Sequence, residues 1–227
     1  MKPGPDGSTA GTTLAGGTIR ELRRLADRDR TPRQVDQRAA PATEERCDLC
    51  SASIPSDHRH MLHVEDRLIV CTCELCRALF DGDGPYRPTG SRFAWLEDLD
   101  LPDELWASFR IPIGLAFFLE SSTGGPEGTG GVVAFYPSPA GTTECELDLG
   151  PWETLVVANP VLKGLERDTE ALIVNRLGGA RQHAIVPIDE CYRLVGLVRV
   201  SWEGISGGTG IETAVAQFFA ETKEKAA

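Results

Sequence analysis

The stretch from Cys47 to Cys76, CDLCSASIPSDHRHMLHVEDRLIVCTCELC, constrains what this chain can fold into more than any other part of it. Its thirty residues hold five of the seven cysteines and three of the four histidines. Packing does not account for so many soft ligands in one place, whereas a bound metal does. Cys47-x-x-Cys50 and Cys73-x-x-Cys76 each have the spacing that lets two thiolates grip one tetrahedral ion while nearby amides offset their charge. These four cysteines are the expected ligands.

Between the pairs, residues 60–64 and 67–72 are rich in apolar and β-branched side chains and read as two strands joined at Glu65-Asp66. Residues 73–80 then read as the first turns of a helix that stops before Gly82 and Gly84. Knuckle, hairpin and a helix bearing the last two ligands is the arrangement of a treble-clef or zinc-ribbon module. Four thiolates suit zinc, and the same set could hold iron or a small iron–sulfur cluster. A closed Cys₄ site has no open position for hydrolysis.

Four further ligands are in surplus. Cys71 can replace Cys73, help hold a cluster or pack as an apolar thiol, and the last is favoured; on a strand it shares a face with Cys73. His58 and His60 alternate onto one face of the first strand and His63 onto the other, so the three do not converge readily. If they bind metal, they form a second, exchangeable site for nickel or zinc. Cys145 and Cys191 stand alone in apolar contexts and read as inert core thiols.

At 227 residues the chain can bury a core without a metal, and 41% hydrophobic with 25% charged residues is ordinary for a globular protein. The N-terminus lacks the features of a secretory signal and no apolar run approaches membrane-spanning length, so a cytoplasmic protein is expected. In that reducing compartment CxxC pairs favour metal over disulfide. A net charge of −11 argues against general binding to nucleic acid or anionic membrane. Residues 1–40 oppose the trend, with eight Lys/Arg against five Asp/Glu. Within them Ile19, Leu22, Leu25 and Ala26 have helical spacing, and the flanks are rich in Gly, Pro, Ser, Thr and Ala. Residues 1–44 are therefore expected to be a mobile arm with a short amphipathic helix, 45–90 the Cys-rich module and 91–227 a separate domain.

That last region predicts an α+β fold, a mostly antiparallel sheet closed by C-terminal helices. A short helix is expected after Leu101, seated by Trp95, Trp106 and Phe109. Strands are expected at 113–119, 131–136, 143–149 and 153–158, and their short turns imply an antiparallel meander. Glu144, Glu146 and Asp148 would form a solvated acidic row or a protected edge. A helix is expected from Asn159-Pro160 to about Arg167, then strands at 171–177 and 183–187 around Gly178-Gly179, with His183 structural. Asp189 reads as the cap of a helix, and Ile211–Lys223 as the final one. No phosphate loop, nucleophile elbow or zinc-protease helix is present, so an accessory role is expected over an enzymatic one.

The motifs C-D-L-C, H-R-H-M-L-H, C-T-C-E-L-C-R-A-L-F and C-Y-R-L-V-G-L-V-R-V-S-W-E-G-I-S-G-G together resemble an actinobacterial-type family encoded beside high-affinity NiFe hydrogenases. The resemblance spans roughly residues 15–225 and assigns no catalytic residue. It implies a role near hydrogenase assembly or electron flow, with a hydrogenase subunit or maturation factor as protein partner. A metal-dependent accessory protein is the leading expectation. An iron redox protein and a metal-delivery protein using His58, His60 and His63 are the alternatives.

Overall fold

Antiparallel pairing joins every ladder of the computed structural model, which describes residues 45–227 apart from 83, 124–129, 146 and 203–207. The expected amphipathic helix around Ile19–Ala26 and the side chain of Glu146 lie outside the described residues. Strands β1 (Arg59–His63) and β2 (Leu68–Thr72) form the expected hairpin, with His60 opposite Cys71. Helix α1 (Glu74–Phe80) follows, and β3 (Tyr86–Pro88) then pairs with the free side of β1. Sequence alone reads residues 82–88 as a loop. Of these, Tyr86–Pro88 become an edge strand: the Val64 N–H donates to the Pro85 carbonyl at 2.8 Å just before it, and an edge tolerates a proline such as Pro88.

Strands β4 (Ala94–Trp95), β5 (Leu115–Ser121), β6 (Gly131–Ser138), β7 (Gly141–Cys145), β8 (Glu170–Asn175) and β9 (Gln182–Pro187) make a six-stranded sheet in the order β4-β9-β8-β5-β6-β7. The expected meander holds from β5 to β7. β8 then returns to the other side of β5, because both strands are apolar on both faces and belong in the centre. Leu115, Phe117 and Leu119 of β5 join Ala171 and Ile173 of β8 in one core, while Ala116, Phe118, Leu172 and Val174 join the other.

The first core is covered by α4 (Ile188–Ser201) and α5 (Gly208–Lys225), through Cys191, Leu194, Val198, Val215, Phe218 and Phe219. Leu62 and Val64 from the hairpin region enter the same core. The second is covered by α2 (Asp103–Ser108) and α3 (Leu149–Ala158). There Phe118 is wholly buried, 4.9 Å from Phe109 and stacked at 5.5 Å on Trp152 between ring centroids. Burying one such ring contributes roughly 2–3 kcal/mol. Trp106 lies in this cluster as expected, whereas Trp95 packs on Phe219 across the sheet.

The segment 153–158 is helix rather than strand. Asp148 caps it by accepting from the Gly150 N–H at 3.0 Å, and Trp152 and Leu155 are buried one turn apart, which overrides the strand preference of Thr154-Leu-Val-Val. The acidic row is thus broken up, with Glu144 on edge strand β7 paired to Arg67 and Asp148 serving as a cap. Past Asn159 the chain makes a 3₁₀ turn, Pro160–Gly164, in place of the expected helix to about Arg167: Leu165 turns to an extended backbone, and Leu162 and Leu165 are both buried. Pro187, not Asp189, stands before α4; Asp189 sits in the first turn, where a carboxylate suits the helix dipole.

His183 on β9 is 5% exposed, and neither ring nitrogen has a hydrogen-bond partner among the described residues. Burial, reinforced by nearby Arg176, lowers its pKa to about 4 from 6.5. The unfolded chain therefore takes up a proton between those values and the folded chain does not, so stability falls as pH drops below about 6.5. In denaturant melts, the native protein should lose about 2 kcal/mol relative to His183→Leu between pH 7 and pH 5; a constant difference would show that His183 titrates normally in the fold.

Candidate metal centre

The first cysteine pair is shaped by a tight turn. The Cys47 N–H donates to the Ala52 carbonyl at 2.8 Å and the Ser51 N–H to the Cys47 carbonyl at 2.7 Å, with Ser51 in the left-handed region at φ 60°. Asp48 fastens this knuckle to the hairpin: its N–H donates to the Cys71 carbonyl at 2.9 Å, and its Oδ2 accepts from the Cys71 N–H at 2.6 Å. The second pair is shaped by a helix start. β2 ends at Thr72, and Cys73 becomes the N-cap of α1, its sulfur accepting from the Cys76 N–H at 3.4 Å.

The result is convergence of the sulfurs of Cys47, Cys50, Cys73 and Cys76, all within 4.8 Å of one another. Cys50 and Cys73 are 3.7 Å apart, far beyond a disulfide bond, and all seven cysteines are free. With Zn–S bonds of about 2.3 Å, the edge of a tetrahedral Cys₄ site is about 3.8 Å. The donor set therefore fits one tetrahedral metal ion. Cys47 and Cys76 are buried with Ile54 beneath them, while Cys50 is exposed.

Electrostatics point the same way. Burial opposes ionisation of Cys47, yet the amides of Cys73, Cys50 and Leu49 donate to its sulfur and bring its pKa down to about 6. Cys76 is pushed up to about 12, by burial and then by the sulfurs of Cys50, Cys73 and Cys47. Neighbouring thiolates repel, and a divalent cation is what allows all four to ionise together. The backbone supplies part of the compensation at Cys47 and leaves the rest to an ion.

Of the surplus ligands, Cys71 packs half-buried against the small cluster of Cys47, Ile54 and Cys76, as expected, and its ligand atom also lies within 4.8 Å of those of His58 and His60. Cys73 turns off the strand into α1, so the Cys71–Cys73 alternation breaks there. His63 points away, as expected, with Nδ1 3.1 Å from the Asp66 carboxylate and its ring edge-on to Tyr86. Cys191 is fully buried and burial pushes its thiol well up; Cys145 is half-buried and also raised by burial.

Asp48 and Asp189 are supporting residues that spacing rules pass over. The acidic residue inside C-D-L-C was a usable signal for the first; the second becomes a neighbour only through the fold. Asp48→Ala removes a charge-assisted bond at an exposed position and should cost about 1 kcal/mol in denaturant melts, with Asp48→Asn losing less. An unchanged midpoint for the alanine variant would remove Asp48 from the knuckle's support.

No helix among the described residues is long and apolar enough to cross a membrane. No curated protein and no solved structure matches the sequence. The profile of a family of unknown function, DUF5947, matches residues 46–226, which takes in both cysteine pairs, the hairpin, the six-stranded sheet and both C-terminal helices. The chain belongs to the DUF5947 family.

Proposed function

We propose that this is a cytoplasmic accessory protein in which Cys47, Cys50, Cys73 and Cys76 hold a structural zinc, and which acts by docking a protein partner in NiFe hydrogenase assembly. The observation that carries the metal reading is the convergence of four thiols with a 3.7 Å edge, the size of a zinc tetrahedron. The closed, tetrahedral, all-sulfur set suits zinc and suits a single iron as well, so the colour and metal content of the protein decide between them; as a structural zinc the ion contributes on the order of 10 kcal/mol of folding free energy.

The partner reading is supported by α1. Leu75 and Leu79, one turn apart, are 83% and 76% exposed, and Phe80 is exposed beside them. A helix fixed at its start by metal ligands and apolar on its outer face suits a docking surface. The hydrogenase assignment rests on the resemblance of the cysteine, histidine and α4 motifs and commits to a subunit or maturation factor as partner.

Purified full-length chain should keep one zinc per chain through dialysis and be colourless. A thiolate-to-iron charge-transfer band with stoichiometric iron would instead favour the redox reading. Cys47→Ser or Cys76→Ser should lose that ion and the hydrogen-exchange protection of residues 47–72. Full metal content in either variant would refute the ligand assignment. Paired Leu75→Glu and Leu79→Glu changes should keep the zinc and weaken binding to purified hydrogenase assembly components at least tenfold; unchanged binding would remove α1 as the docking face.

A further inference from the structure

A second group of soft ligands stands beside the Cys₄ set and is not used by it. The β1–β2 register sets His60 opposite Cys71, and His58 lies just before β1 with its ring 4.8 Å from that of His60. One ligand atom from each of His58, His60 and Cys71 falls within 4.8 Å of the other two. The histidine rings are oriented by their Nδ1 atoms. Nδ1 of His60 lies 3.0 Å from Asp189 Oδ2, while Nδ1 of His58 lies 2.8 Å from the Pro55 carbonyl and 3.1 Å from Glu45 Oε2. Both rings thus have an oxygen acceptor at Nδ1, which fixes the tautomer with the proton there and leaves the Nε2 lone pair to act as ligand.

His58 supplies the independent observation. Its side chain is only 6% exposed, and its buried Nε2 has no hydrogen-bond partner among the described residues. A buried, unpartnered imidazole nitrogen costs free energy unless something accepts its lone pair. A metal ion coordinated by that nitrogen answers the cost, with His60 and Cys71 as the other donors.

We propose that His58, His60 and Cys71 form a second metal site, for a borderline divalent ion such as zinc, held by three ligands with one position left for an exogenous ligand. Two imidazoles and a thiolate suit zinc. Asp189 and Glu45 are positioning residues behind the imidazoles, in the carboxylate–histidine–metal arrangement. His58 and His60 also line a groove of about 540 Å³ with Phe93, Asp189, Glu190 and Lys225, which gives an ion or its fourth ligand a path from solvent. The Cys₄ set is closed and the three-ligand set is open, so the second ion exchanges faster. The two sites share the Asp48–Cys71 contacts, which tie the knuckle of one to a ligand of the other. The second site stands on its own ligands and does not depend on the identity of the first metal.

Titrating zinc into full-length protein already carrying one tightly held equivalent tests the site. A second equivalent should bind, and nitrogen-15 spectra of the histidine rings should show His58 and His60 moving while His63 and His183 stay fixed. His58→Gln and Cys71→Ser should each abolish the second equivalent and keep the first, whose retention shows that the module still folds. Asp189→Asn should weaken only the second equivalent, by 10- to 100-fold. Saturation at one equivalent, or a second equivalent that leaves the His58 and His60 signals unmoved, would overturn the proposal. Failure to hold even the first equivalent would count against the Cys₄ reading instead, and the histidine shifts would still report on this site.

Discussion

Four sulfur atoms drawn within 4.8 Å impose the condition on which the N-terminal part of the described structure depends. Thiolates at that separation repel, and the neutral alternative would leave four weakly bonding S–H groups in place of any strong interaction. Amides aimed at Cys47 relieve part of the repulsion, and burial aggravates it at Cys76. A divalent ion held by all four would resolve the conflict. It would also account for how so short a knuckle and helix start hold one geometry on the small cluster of Cys47, Ile54 and Cys76.

The hairpin is not left to the metal alone. Leu62 and Val64 sink into the core shared by the large sheet and the C-terminal helices, and the Tyr192 hydroxyl on α4 donates to the Arg67 carbonyl at 2.6 Å. Arg67 itself pairs with Glu144 and lies over the Phe135 ring at 5.2 Å. Across the same boundary Asp189 reaches His60 from the first turn of α4. Contacts that position the hairpin therefore also orient a histidine beside Cys71. The central strands β5 and β8 of the large sheet are apolar on both faces, and one of those faces is covered in part by Leu62 and Val64.

How much was legible in the sequence follows from how local each signal is. The Cys₄ set could be read because each CxxC pair fixes its own geometry within one turn, and the hairpin and most of the large sheet could be read from apolar alternation. Helix α3 is not legible locally because Thr154-Leu-Val-Val favours strand, while burial of Trp152 and Leu155 and the Asp148 cap decide the outcome. Strand β3 is hidden because prolines mask an edge strand that forms where β1 offers a partner. The grouping of His58, His60 and Cys71 was hidden more deeply. It requires the exact cross-strand register that puts His60 opposite Cys71, and an aspartate from the other end of the chain.

X-ray absorption at the zinc edge, on full-length protein carrying a single tightly held equivalent, tests the central claim most directly. Four sulfur neighbours at about 2.3 Å and no nitrogen or oxygen in the first shell are the expected result. A first shell containing imidazole nitrogen would contradict the Cys47, Cys50, Cys73 and Cys76 assignment, and would mean that the histidine group, not the four-cysteine set, holds the ion most tightly.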